Sequence, residues 1–216
     1  MTYPEQKALI HTICEEIYQT RRLTGIECLS SRLLDALRRV DRRLFVPDEM
    51  VRHAYDNRPL GIGHGQTISQ PYIVALMTAL LDLQPGDKVL EIGTGCGYQS
   101  AILAELCKHL YSIEVVQPLL AQAQHRLQQM GYENIDFHHG DGYHGWPSNA
   151  PFDAILVAAA ADTLPPPLLE QLNCGGKLVA PFGRFPQSLT LISKDNDGVV
   201  EERKVLDVVF VPFVRT

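Results

Sequence analysis

The stretch that most constrains this chain is residues 88 to 104, KVLEIGTGCGYQSAILA. Val89, Leu90 and Ile92 form a short apolar run, alternate glycines follow at Gly93, Gly95 and Gly97, and Ile102, Leu103 and Leu106 then recur at helical spacing. That order predicts a buried strand, a glycine turn and a helix start. Glycine takes positive φ without a Cβ clash and lets a ligand lie against bare backbone at the helix N-terminus. A nucleotide-like cofactor is the expected ligand. A dinucleotide fingerprint would need glycine in place of Tyr98 or Ser100, so that pattern fails. What stands instead is Glu-x-Gly-x-Gly-x-Gly from Glu91, an acid inside the strand end that is placed to hold the loop or to meet a cationic ligand. A second acid, Glu114, closes the next apolar run, Leu110 to Ile113, about where a second-strand carboxylate reaches ribose hydroxyls.

At 216 residues the chain is long enough for one large α/β domain with small additions. Hydrophobic content of 45% and charged content of 20% are those of an ordinary soluble protein, and no apolar run reaches the ~18 residues of a membrane span. Met1 to Gln6 carry no signal-peptide core, and the cysteines at 14, 28, 96, 107 and 174 are odd in number with no metal-ligand spacing. Reduced thiols in the cytoplasm are therefore expected. Local charge is +1 over residues 1 to 60 and -7 over 61 to 216, which disfavours nucleic acid as a partner. A monomer is the default expectation.

Leu9, Ile13 and Ile17, then Leu33, Leu34 and Leu37, mark two amphipathic cap helices over residues 5 to 20 and 29 to 40. The run Arg38, Arg39, Arg42 and Arg43 reads as a solvated face, and Phe45 to Pro47 as the end of the helical region. Gly61, Gly63 and Gly65 then predict a mobile or tightly turned loop before a buried helix face at Tyr72, Ile73, Leu76, Met77 and Leu80. Ser69 reads locally as the N-cap of that helix with Pro71 in its first turn, a role compatible with presenting a hydroxyl beside the cofactor strand. Beyond Glu114, residues 117 to 130 predict a helix with Leu119, Leu120, Ala123 and Leu127 inward, and a strand follows at Ile135 and Phe137. His138, His139 and His144 lack the matched ligands a metal site needs, and Asp141-Gly142 reads as a polar turn that could also meet an adenine amino group. Phe152 to Ala161 suits a central parallel strand, Pro165 to Leu172 a helix, Gly175 and Gly176 the turn into a strand at Lys177 to Ala180, and Ser188 to Ser193 and Val205 to Val214 two final strands.

The segments GIGHGQTIS, VLEIGTGCGYQSAILA, GDGYHGW, APFDAILVAAAADTLP, GGKLVAPFG and VVFVPF, in this order, resemble the protein-L-isoaspartate (D-aspartate) O-methyltransferases over about residues 25 to 214. The resemblance implies an α/β, doubly wound, Rossmann-like S-adenosylmethionine-dependent methyltransferase fold with a mostly parallel sheet. Residues 1–58 would form a helical cap, 59–183 the cofactor-binding core and 184–216 the C-terminal strands of a single domain. It further implies S-adenosyl-L-methionine as cofactor, S-adenosyl-L-homocysteine as product, and isoaspartyl proteins and peptides as substrates. By position, Ser69 would be catalytic and substrate-binding and Val211 would meet substrate, while Thr67, Ile68, Glu91, Gly93, Gly95, Gly97, Glu114, Asp141 and Gly142 would bind cofactor. Cys96 and Ala158 depart from the family's usual serine and threonine. A small-molecule O-methyltransferase would share the cofactor half but leave the GQTIS segment unexplained, and a non-catalytic module would have no use for Ser69, the glycine loop and both acids together.

Overall fold

The computed structural model describes residues 3–215. Seven strands lie in the order β5-β4-β3-β6-β7-β8-β9: β3 (Lys88–Ile92), β4 (His109–Glu114), β5 (Ile135–His139), β6 (Phe152–Val157), β7 (Leu172–Phe182), β8 (Gln187–Lys194) and β9 (Val200–Val208). β5 to β7 form the parallel part, and β8 and β9 return antiparallel. Alternate strand residues feed two apolar layers, Val89, Ala154 and Leu156 on one face and Leu90, Ile155 and Val157 on the other. The first face carries α1 (Pro4–Thr24), α2 (Ser31–Arg39), α3 (Pro71–Leu81), α4 (Tyr98–Ala104) and α5 (Gln117–Gln129), whose periodic residues Leu9, Ile13, Ile17, Leu33, Leu76, Leu119 and Leu127 are buried there. The second face packs on α6 (Pro166–Glu170) through Leu168. Connections from β3 lead outward through β4 to β5, and the chain then returns to the other side at β6. That reversal between β3 and β6 opens a crevice at the carboxyl ends of the strands.

Several local expectations change. Arg42 is not on a solvated face: it is 1% exposed, with its guanidinium 5.1 Å from the Tyr98 ring and Nε and Nη1 without hydrogen-bond partners among the described residues. It belongs to a 3-10 turn, Arg42–Phe45, that continues into a second one, Asp48–His53, so the helical region runs past Pro47. Phe45 and Arg42 both turn inward because a 3-10 turn places residues three apart on one side. Burial of the charged form pushes the Arg42 pKa down. The glycine-rich segment is an ordered hairpin, β1 (Leu60–Gly63) with β2 (Gln66–Ile68), turned at His64 and Gly65 in the left-handed region. Leu172 starts β7 rather than ending α6, and Gly175-Gly176 lie inside β7 at an irregularity in its pairing with β6, where Phe152 faces Leu172 and Ala154 faces Lys177. β9 starts at Val200 and stops at Val208, so residues 209 to 214 leave the sheet. Among the described residues no helix is long and apolar enough to cross a membrane.

Candidate active site

The crevice is built first from the turn after β3. Gly93 has φ +97° and its Cβ position lies 3.4 Å from the Ala158 Cβ; Gly97 has φ +89° and a Cβ there would sit 2.9 Å from the Leu127 Cδ1. Only glycine lets the chain pass these neighbours in that conformation. The turn is also pinned by its surroundings. The Gly93 N–H donates to the Ile113 carbonyl at 2.8 Å, the Gly95 N–H to Glu114 Oε2 at 2.8 Å, and Arg126 Nη1 to the Cys96 carbonyl at 2.7 Å. Glu114 accepts a further bond at Oε1 from the Val116 N–H, 2.9 Å away, so its buried carboxylate ties the glycine turn to the end of β4. Burial pushes up the pKa of the Cys96 thiol, which also lines the crevice.

Glu91 stands beneath this turn and not on its surface. It is fully buried, accepts hydrogen bonds at Oε2 from the hydroxyls of Ser100 and Ser112, and leaves Oε1 without a partner among the described residues. Ser112 in turn shares a 2.6 Å hydrogen bond with Thr94, and Thr94 lines the crevice. Burial, reinforced by the nearby Glu114 and opposed by the two serine hydroxyls, pushes the Glu91 pKa up to about 7.

The opposite wall comes from β2 and the turn into α3, which supply Gln66, Thr67, Ile68 and Ser69. Ser69 does not cap α3. The N-cap position is Gln70, without a side-chain cap bond, and Pro71 in the first turn has no N–H to satisfy. The first N–H that needs a partner, that of Tyr72, receives one from Asn57 Oδ1 at 3.0 Å, and Asn57 is itself held by Glu16 at 2.6 Å. Among the described residues the half-buried Ser69 hydroxyl makes no hydrogen bond. Thr67, Ser69, Ala158 and Val211 line both the crevice and a neighbouring groove formed with Leu23, Tyr72, Phe185 and Val209. The two spaces therefore meet at Ser69.

At the far end Asp141 Oδ1 accepts from the Tyr143 N–H at 2.9 Å, the polar turn expected from the sequence. Gly142 is buried, and a Cβ there would overlap Ile92 Cγ2. Residues 211 to 214 cross the crevice, held by the Val211 carbonyl accepting from the Ala160 N–H at 2.9 Å and the Phe213 N–H donating to the Ala160 carbonyl at 2.8 Å. Thus Thr67, Ile68, Ser69, Gly93, Gly95, Glu114, Gly142 and Val211 share one crevice, whereas Glu91, Gly97 and Asp141 shape it from behind. The sequence alone assigns no role to Gln99, Val74, Phe213 or the capping Asn57; Gln99 and Phe213 lie inside the quoted segments and Val74 in the first turns of α3, but nothing local marks Asn57. The His138 ring lies 4.9 Å from that of Trp146, tilted by 41°, and His139 Nε2 lies 3.1 Å from the Val115 carbonyl. No Lys or Arg is among the described residues lining the crevice, which suits a cationic ligand seated against bare glycine backbone.

A parallel sheet with a glycine turn at its switch point, an acid at the end of the second strand and antiparallel strands at its end define a class, the S-adenosylmethionine-dependent methyltransferases of Rossmann-like fold. The model of the family described as protein-L-isoaspartate(D-aspartate) O-methyltransferase matches residues 14–216, and the chain belongs to that family. It is 51% identical over 206 residues to protein-L-isoaspartate O-methyltransferase 2 of Polaromonas sp., covering 94% of this chain and 98% of that relative. It is 47% identical over 213 residues to protein-L-isoaspartate O-methyltransferase 1 of Cupriavidus necator, covering 98% and 82%. A solved protein-L-isoaspartate O-methyltransferase superposes with a TM-score of 0.82 at 25% identity, covering 96% of this chain and 65% of that one. A Plasmodium falciparum protein of the same description, solved with S-adenosyl-L-homocysteine, shares the fold at a TM-score of 0.78 and 24% identity, covering 95% and 98%.

Proposed function

We propose that this chain transfers a methyl group from S-adenosyl-L-methionine to the free α-carboxylate of L-isoaspartyl residues, and of D-aspartyl residues as the family description extends it, in damaged proteins and peptides. The observation that carries this is the meeting of crevice and groove at Ser69, whose hydroxyl is left unbonded because Asn57 caps α3. S-adenosylmethionine, when bound, supplies an electrophilic methyl on a sulfonium. Gly93, Gly95 and Gly97 would leave room for its methionine side, Glu114 would accept from ribose hydroxyls, Gly142 with Asp141 would border the adenine, and Thr67 and Ile68 would close the opposite side. Glu91 supports this set from below through Ser112 and Thr94.

The acceptor needs no general base. An α-carboxylate has an ordinary pKa of about 3.5 and is ionised at neutral pH. Ser69 then acts by donating a hydrogen bond to one carboxylate oxygen, which aims the acceptor at the crevice, while Val211 contributes backbone on the far side of the groove. Orientation and exclusion of water supply the acceleration. The methyl ester so formed carries methoxide, a better leaving group than the oxide of a carboxylate. The backbone nitrogen of the following residue attacks the ester carbonyl, methanol leaves with the amide proton, and water opens the resulting succinimide, returning part of the product to normal aspartyl linkage, which is repair. The cap, core and C-terminal strands act as one domain, and its odd, unmatched set of free cysteines is in keeping with a cytoplasmic protein.

Labelled S-adenosylmethionine with two synthetic peptides that differ only in isoaspartyl or aspartyl linkage tests this. Base-labile label on the isoaspartyl peptide alone is expected. Label on neither, with cofactor bound, would refute the acceptor assignment.

A further inference from the structure

Beyond the end of β9 at Val208 the chain runs across the crevice, and each of Val211, Pro212, Phe213 and Val214 lines it. The first part of this strap is fastened to the backbone of Ala160 from both sides. Past Phe213 the fastening changes character. The Arg215 guanidinium lies 3.6 Å from the centroid of the Tyr143 ring, and Arg215 Nε donates to Asp141 Oδ2 at 3.2 Å. Asp141 is 8% exposed at its side chain, so this pair is less screened than one fully in water, although Arg215 itself is 51% exposed. Tyr143 is placed for the contact because its N–H is held by the other oxygen of the same Asp141. One carboxylate thereby organises both the turn that borders the crevice and the end of the strap that covers it.

We propose that Arg215 is a positioning residue for the cofactor: stacked on Tyr143 and bonded to Asp141, it latches the strap across the Gly142 end of the crevice, so that nucleoside ligands enter and leave when this latch opens. The proposal rests on the crevice being the S-adenosylmethionine site. Arg215 touches neither the groove nor Ser69, so acceptor binding is independent of it. Opening the latch costs one charge-assisted hydrogen bond and one cation-ring contact, while the backbone bonds at Ala160 keep the strap in place.

The test is the dissociation rate and Kd of S-adenosyl-L-homocysteine for the full chain, wild type beside Arg215→Ala, Arg215→Lys and Tyr143→Leu, with the KM for an isoaspartyl peptide at saturating cofactor. Release is expected to be about fivefold faster in Arg215→Ala and Tyr143→Leu, as loss of a partly exposed stacked ion pair allows. Arg215→Lys should fall between, since an ammonium keeps the charge but not the planar stack. Peptide KM should not move, and added salt should speed release from wild type more than from Arg215→Ala. Wild-type binding with identical release from all four proteins would overturn the latch alone. Failure of wild type to bind S-adenosyl-L-homocysteine would overturn the cofactor assignment and the latch together.

Discussion

The two walls of the crevice are built in opposite ways. On the glycine side nearly every polar group already has a protein partner: Glu114 holds Gly95 and Val116, Arg126 holds the Cys96 carbonyl, and Glu91 is locked between Ser100 and Ser112. On the Ser69 side the hydroxyl has no hydrogen bond among the described residues, Thr67 is exposed, and Phe185 and Val209 project with 87% and 83% of their surface free. A pre-organised wall binds a ligand of fixed shape without reordering, whereas an open one accommodates peptides of varied sequence and is completed by them. The division fits an enzyme with one constant cofactor and many protein substrates.

Substitutions on the glycine side should act on the fold or on cofactor binding rather than on the acceptor. Gly97→Ala places a methyl 2.9 Å from Leu127 Cδ1 in a left-handed residue. We expect it to destabilise the fold by about 4 kcal/mol from strain and overpacking, read as a lower midpoint in urea. Glu91→Gln should change the pH dependence of stability. The folded pKa of about 7 lies above the ordinary 4.5, so wild type is most stabilised below the lower value and loses stability as pH rises through the upper one. The variant cannot ionise, and thermal melts should show it gaining on wild type by ~3 kcal/mol at most between about pH 5 and pH 8. Glu114→Ala removes the anchor of Gly95 and should weaken S-adenosylmethionine binding about a hundredfold in titration calorimetry. Arg39→Ala, which breaks a partly exposed pair with Glu105 that lines neither wall, should leave melting and turnover within error. An equal loss of cofactor binding in Arg39→Ala would break the contrast between the walls and the rest of the surface.

The same contrast governs what could be read from the sequence. The glycine side is written in consecutive residues: apolar run, alternate glycines, helix, apolar run, acid. Leu119, Leu120, Ala123 and Leu127 likewise announce their helix by spacing, and all four are buried. The Ser69 side depends on partners remote in the chain. Asn57, 15 residues away from Tyr72, makes the cap that the local sequence assigns to Ser69, and no local pattern encodes that exchange. Arg42 reads as surface because its neighbours are charged, yet a 3-10 turn faces it toward Tyr98. Glycines at 61, 63 and 65 suggest freedom, but pairing of Leu60 with Ile68 and Gly61 with Thr67 makes the segment a hairpin. The apolar run after Val205 suggests one strand, although its second half serves as the strap over the crevice.

The central claim is that the cofactor and acceptor halves are separable, with Ser69 acting on the acceptor alone. The most direct measurement is turnover on an isoaspartyl peptide and S-adenosylmethionine Kd, taken on the same preparation of Ser69→Ala. Turnover is expected to fall about a hundredfold, the scale of one lost orienting hydrogen bond in a water-excluded site, with Kd unchanged. A Kd weakened as much as turnover, or turnover equal to wild type, would contradict it.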